Sequence, residues 1–238
     1  MVILNKPKRI LSAGMVGSGS TFIFNVAREI LTCDSTYPTH ALYSDDWQPE
    51  FDADSHLLLK CHYGSPSLYA AIQAGGFLPL VTVRHPGDSL CSDMERFRLP
   101  FDRALMRVRT SLAFAAALSW IDGARVFRYE DGFMSNLNTA AILAQSLDIP
   151  VPQEKLVDVT LKYSAASVRS YAIGLDDRAE VERNIDNDDV WCSTTQIHRN
   201  HIGKQVSNRW RNLPADQRAI IAETFREICE PFGYALDG

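Results

Sequence analysis

The chain has 238 residues, 46% of them hydrophobic and 22% charged, so it can bury a sizeable core, and one domain spanning residues 1–238 is the expected organisation. Its formal net charge of -5 gives no basic excess to draw it to nucleic acid or an anionic membrane, so an anionic ligand must meet a local basic site. Five scattered cysteines without a C-x-x-C pair exclude a disulfide framework and a zinc site and point to the reducing cytoplasm, and no apolar run is long enough for a membrane span.

Short apolar runs alternate with helical patterns along the chain. Residues 9–13 read as a buried strand, and 21–31 as a helix with Phe22, Val26 and Ile30 on one face. The apolar run after Lys6, Lys8 and Arg9 is broken by Gly14 and Gly17, which spoils it as a signal-peptide core. Further strands are expected at 56–61, 78–83 and 125–129, each followed by a segment that can be helical. Segments 101–121 and 215–230 carry apolar residues at helical spacing and read as covering helices, the second ended by Pro231. This alternation predicts an α/β fold whose mainly parallel sheet is flanked by helices. The least core-like stretch is 176–189, where seven acids face Arg178 and Arg183; it reads as a solvated loop before it reads as a cover over a site.

Between the first strand and helix lies GMVGSGST, residues 14–21. It has the outline of a P-loop, G-x-x-x-x-G-K-[ST], with Ser20 in place of the lysine. Gly14, Gly17 and Gly19 allow backbone geometries in which several N–H groups converge, while Ser18, Ser20 and Thr21 add hydroxyls at a helix N-terminus. A phosphate fits there without a lysine, although such a turn can also be purely structural. The missing lysine counts against ATP-dependent kinase chemistry.

Two strand ends downstream add polar groups where α/β sheets place their ligands. Alternation along 56–61 points Lys60 and His62 to one side, a cation beside a group that accepts a proton near neutral pH. After 78–83 comes RHPGDSLCS: Arg84 at the strand exit and Ser92 on the following helix can reach one phosphate. Taken singly, Arg84 can instead pair with Asp88, and Ser92 can face solvent.

Together these segments resemble the sulfotransferases that use 3'-phosphoadenosine 5'-phosphosulfate (PAPS). The family's loop [K/R]-S-G-T-T-[W/L] is matched by Gly17-Ser18-Gly19-Ser20-Thr21-Phe22 at every position but the first, and its K-T-H segment is similar to Lys60-Cys61-His62. Its R-[DN]-P-x-D-x-x-x-S element is matched by Arg84, Pro86, Asp88 and Ser92, and its Y-E-D strand end by Tyr129-Glu130-Asp131. The order agrees across residues 9–131. Beyond them the likeness thins: Lys162 to Ser167 faintly resembles the family's adenine-contacting loop and equally suits a helix end, and Arg199 and Lys204 are the candidates for its C-terminal basic element.

The resemblance implies a P-loop-containing, sulfotransferase-like architecture and transfer of a sulfuryl group from PAPS to the hydroxyl of a small-molecule or carbohydrate acceptor, with no metal. It implies that residues 17–22 cradle the 5'-phosphosulfate, that Arg84, Ser92 and Arg199 bind the 3'-phosphate, and that Tyr129 contacts adenine. His62 would be the general base and Lys60 the cation on the leaving phosphate. Gly17 stands where the family has a loop lysine or arginine, which loads Lys60 more heavily or makes the chain a non-catalytic nucleotide-binding relative. A P-loop kinase is the remaining alternative. Loops 33–55 and 164–200 are expected to shape the acceptor site, with Tyr37, Tyr43, Trp47 and Trp191 able to stack on a ring.

Overall fold

A computed structural model of the chain describes residues 6–47, 54–177, 180–183, 189–200 and 207–236. Five strands form one parallel sheet: β1 (Arg9–Gly14), β2 (Thr39–Tyr43), β3 (His56–Cys61), β4 (Leu78–Val83) and β5 (Arg125–Arg128), in the order β2-β3-β1-β4-β5. β1, β3 and β4 are buried almost throughout, which is why they read as near-continuous apolar runs rather than as alternating ones. Successive side chains still divide between the faces: Ile10, Leu58 and Leu80 pack on one side of the sheet, and Leu11, Leu57 and Val81 on the other.

The first face is covered by α1 (Ser20–Leu31), α5 (Asn138–Leu147), α6 (Gln153–Lys162) and α7 (Ala165–Ile173). The second is covered by α2 (Pro66–Gln73), α3 (Pro86–Phe97), α4 (Phe101–Ser119) and α8 (Ala215–Cys229). This is the expected helix-flanked parallel sheet. A switch in winding direction falls at β1, because α1 carries the chain toward β2 while α2 carries it from β3 across β1 to β4. Crevices for ligands open at such points, above the carboxyl ends of the strands.

Two expectations about loops are corrected and a third alternative is decided. Residues 39–43, taken as loop, form the edge strand β2, held by its register with β3 from Thr39 opposite His56 to Tyr43 opposite Lys60. Within 176–189 the chain forms β6 (Val181–Arg183), which pairs antiparallel with β7 (Val190–Cys192), so the acidic stretch is partly strand. At 162–167 the helix-end reading holds, with Ser164 capping α7 through the Ser167 N–H at 3.3 Å. Among the described residues no helix is long and apolar enough to cross a membrane.

Candidate functional site

Strand register gathers the polar residues at one edge of the sheet. Ser12 lies opposite Lys60, Gly14 opposite Thr82, Val83 opposite Arg128, and Tyr43 opposite Lys60. The residues that follow these pairs, His62, Arg84, Tyr129 and the loop 15–19, therefore emerge side by side. They border a cavity of about 1140 Å³ whose lining includes Gly17, Ser20, Thr21, Lys60, His62 and Arg84. Ser92, Tyr129, Phe22 and Arg199 line it too, so residues far apart in sequence share one chamber.

The loop works through its backbone. Gly17 and Gly19 have φ of +72° and +84°, a left-handed conformation that side chains resist. Phe22 N–H closes onto the Gly19 carbonyl at 3.0 Å, while the N–H groups of Gly19, Ser20 and Thr21 meet no protein acceptor among the described residues. These are the orphan donors of a helix N-terminus, pointing where an anion is favoured. The expectation for Ser18 is corrected: its hydroxyl is turned inward, 2.6 Å from the Met15 carbonyl and 2.7 Å from the Thr82 hydroxyl, and its N–H donates to Met15 as well. Ser18 shapes the turn, leaving Ser20 and Thr21 as the hydroxyls at the cavity.

The backbone angle at Gly17 suits glycine and disfavours the lysine or arginine that the resemblance places there. A Cβ there would meet Ser89 and Ser92 only at 3.5 Å or more, so space is sufficient and the obstacle is the positive φ. Gly17→Lys is expected to strain the turn by about 1–2 kcal/mol and to weaken binding of a bisphosphorylated nucleotide rather than add a useful cation. Calorimetry beside a thermal melt checks this, and tighter binding by the variant would refute it.

Lys60 is 3% exposed and its ammonium has no hydrogen-bonding or ion-pair partner among the described residues; the Tyr43 ring lies 5.9 Å from Nζ. Burial, assisted by the charge of Arg96, pulls its pKa down to about 7. His62 sits beside it. Its Nδ1–H donates to the Gly14 carbonyl at 2.6 Å, which leaves Nε2 as the acceptor, and burial with the Lys60 charge lowers its pKa to about 3. Asp45 holds the turn below by accepting the backbone N–H groups of His62 and Tyr63 at 2.9 and 3.0 Å.

Arg84 does not pair with Asp88. Its guanidinium donates to the Gly17 carbonyl at 3.2 Å and lies 4.2 Å above the Tyr129 ring, with Nε buried and unpartnered. Tyr129 thus supports Arg84 as well as lining the cavity. Asp88 instead accepts the N–H groups of Asn208 and Trp210, tying α3 to the segment before α8. Ser92 faces Gly17 across the loop, its hydroxyl 3.6 Å from where a Cβ on Gly17 would stand. Arg199 lines the cavity but is bonded to Asp176 at 2.6 Å, and Lys204 lies outside the described residues.

Several lining residues were not singled out from sequence. Arg96 follows Ser92 by one helical turn, the i, i+4 spacing that puts both on one face of α3 and that was there to be read. Arg107 pairs with Asp93 at 2.8 Å, and His198 with Asp189 at 2.8 Å. Of the four candidate aromatics, Tyr43 and Trp191 line the cavity, whereas Tyr37 packs on His56 and Trp47 on Phe77 and Arg9. Among the described residues no cluster of His, Cys, Asp or Glu is disposed to hold a metal ion.

No family model matches the sequence, and no curated protein matches it significantly. Solved structures do match over almost the whole chain. Retinol dehydratase in complex with androsterone and the inactive cofactor PAP superposes with a TM-score of 0.66 at 12% identity, covering 98% of this chain and 84% of that one. Mouse sulfotransferase SULT7A1 complexed with PAP gives 0.62 at 14% identity, covering 94% and 84%. Retinol dehydratase with retinol and PAP gives 0.62 at 11% identity, covering 98% and 84%. The chain therefore has the sulfotransferase-like α/β fold that the resemblance implied.

Proposed function

We propose that the chain is a sulfotransferase that moves a sulfuryl group from PAPS to the hydroxyl of an acceptor. The observation that carries the reading is a buried, unpaired Lys60 and a neutral His62 side by side on the end of β3, next to a helix N-terminus with free N–H groups. PAP in the similar structures supports a donor of this type, and androsterone and retinol in them support a hydroxyl-bearing acceptor.

In this reading the amides of residues 19–21 and the Ser20 and Thr21 hydroxyls hold the 5'-phosphosulfate, with Gly17, Ser18 and Phe22 shaping the turn. Arg84 and Ser92 hold the 3'-phosphate, Tyr129 braces Arg84, and Arg199 borders the site from its pair with Asp176. The acceptor oxygen attacks sulfur in line, the bond from sulfur to the bridging oxygen breaks, and that oxygen leaves on the phosphate as charge grows on it. Lys60 opposes this charge, and His62 Nε2 takes the acceptor proton. The charge logic is that of phosphoryl transfer carried over to sulfur. Gly17 favours a second reading, a nucleotide-binding relative without catalysis, because it leaves the loop without a cation.

Donor selectivity tests the assignment. Adenosine 3',5'-bisphosphate is expected to bind better than 5'-AMP by about 1.5–3 kcal/mol, the worth of a charge-assisted contact, and better than ATP. Arg84→Ala should remove most of that preference in calorimetry. Equal affinities for the bisphosphate and 5'-AMP in the wild type would sink the 3'-phosphate site, and binding without transfer to any of a broad panel of hydroxyl acceptors would favour the non-catalytic reading.

A further inference from the structure

We infer that the acceptor carries an oxyanion of its own, a carboxylate, sulfate or phosphate, which Arg96 binds while the acceptor hydroxyl meets His62. This rests on the transferase reading and names the substrate class for the same chamber.

Arg96 lines the cavity together with Lys60, His62, Tyr43 and Tyr63. Its Nε is buried without a hydrogen-bond partner, and its guanidinium makes no hydrogen bond or ion pair among the described residues, resting instead 4.7 Å over the Phe97 ring. Three other arginines of the cavity wall are matched: Arg107 by Asp93, Arg209 by Glu95, and Arg199 by Asp176. The acids close enough to favour the charged Arg96, Asp93 and Asp189, bond to Arg107 and His198 respectively. Lys60 and Arg84 have anions waiting in the donor. Arg96 has none.

Burying an unpaired guanidinium is expensive, and that expense grows when a neutral acceptor displaces the water around it. An oxyanion reverses the sign, because the planar fork of arginine offers parallel donors that suit two oxygens of one group. The charge of Arg96 also lowers the proton affinity of Lys60, His62 and His198, which places all three within its field. An anion seated on Arg96 would relax that field at the moment His62 must accept a proton. Tyr43, Tyr63, Phe97 and Trp191 give the same chamber flat apolar walls for the body of the acceptor.

Acceptor sets of one body and different charge test this: 4-hydroxyphenylacetate, tyrosol and tyramine, read by transfer to the phenol, and glucuronate, glucose and glucosamine, read by transfer to the ring hydroxyls they share. Wild type is expected to favour the acid of a set over its neutral partner in kcat/KM by on the order of 10- to 100-fold. Arg96→Gln should bring that ratio near one, and Arg96→Lys should keep part of it; a merely structural role would lower all acceptors together and leave the ratio alone. A neutral or amine preference in wild type, or an acid preference that survives Arg96→Gln, overturns the inference. Calorimetry of the acids against enzyme saturated with adenosine 3',5'-bisphosphate separates the two readings. Acid binding that depends on Arg96 without any transfer overturns the catalytic reading and sustains this one, and absence of acid binding overturns this one.

Discussion

His62→Ala is expected to lower sulfuryl transfer by about 10²- to 10⁴-fold while nucleotide affinity stays nearly unchanged, since the imidazole acts on the acceptor proton and not on the donor. The tautomer is fixed before substrate arrives, because Nδ1–H is committed to the Gly14 carbonyl and Nε2 carries the lone pair. With a pKa near 3, the ring is already neutral throughout the physiological range. Its contribution to kcat/KM should therefore fall only on strong acidification, well below the ordinary histidine range. A base this weak has little driving force, but part of its depression comes from the Lys60 charge, and an anionic donor beside Lys60 would raise it toward neutrality. NMR titration of His62 should show that rise when adenosine 3',5'-bisphosphate is added. Other histidines are poorly placed to substitute: His56 accepts the Lys8 N–H and faces Asp34, and His85 is stacked 4.8 Å from Trp210 with Nε2 on the Ala235 carbonyl. Single-turnover transfer decides it, and full activity in His62→Ala would move the role to His198, the other histidine on the cavity wall among the described residues.

The elements legible in the sequence were those whose apolar pattern is set by the sheet itself. β3 falls on the expected 56–61 and β4 on 78–83 because buried parallel strands are apolar on both faces, and the loop 14–21 announced itself through glycines that its backbone angles require. β2 was missed because THALY is an edge strand whose stability comes from the ladder of β3, with no apolar run of its own. The pair β6 and β7 was missed for a related reason, being three residues each and too short to hold an apolar run of its own. Lys60, His62, Arg84 and Ser92 could be found from motif spacing. Arg96 shares the Ser92 face of α3 by its spacing, but its lack of a partner is not legible there, because partners are settled by folding: Asp93, three residues before it, goes to Arg107 on α4. Ser18 shows the converse, a hydroxyl at the right position whose hydrogen bonds to Met15 and Thr82 turn it away from the cavity.

Lys60→Met should have opposite effects on folding and on chemistry. The folded protein holds Lys60 at a pKa of about 7 against the ordinary lysine value of 10.5, so between these values the unfolded chain binds more protons and stability rises with pH. Below about pH 7 the whole penalty is present, and methionine, similar in length and uncharged, removes it. The nucleotide-free variant is therefore expected to melt several degrees higher at pH 6–7, since about 1 kcal/mol moves the midpoint of a chain this size by roughly 2–4 °C. The difference should shrink as pH rises toward 10. Transfer should move the other way, losing about 3–4 kcal/mol of transition-state stabilisation, as when an oxyanion donor is removed, with a smaller loss of nucleotide affinity. The loss should lie at the upper end because Gly17, held at positive φ, leaves Lys60 without help from the loop. Protonation links the two effects. An anion that binds beside Lys60 raises its pKa, so wild type should take up a proton on binding adenosine 3',5'-bisphosphate near pH 7–8, and its affinity should weaken as pH climbs above that range. Calorimetry in buffers of different ionisation enthalpy reads this uptake directly, and Lys60→Met should lack it. A variant with unimpaired transfer would show that another group faces the leaving oxygen, whereas a more stable, proton-silent and slow variant ties the strain stored at Lys60 to the charge it is there to oppose.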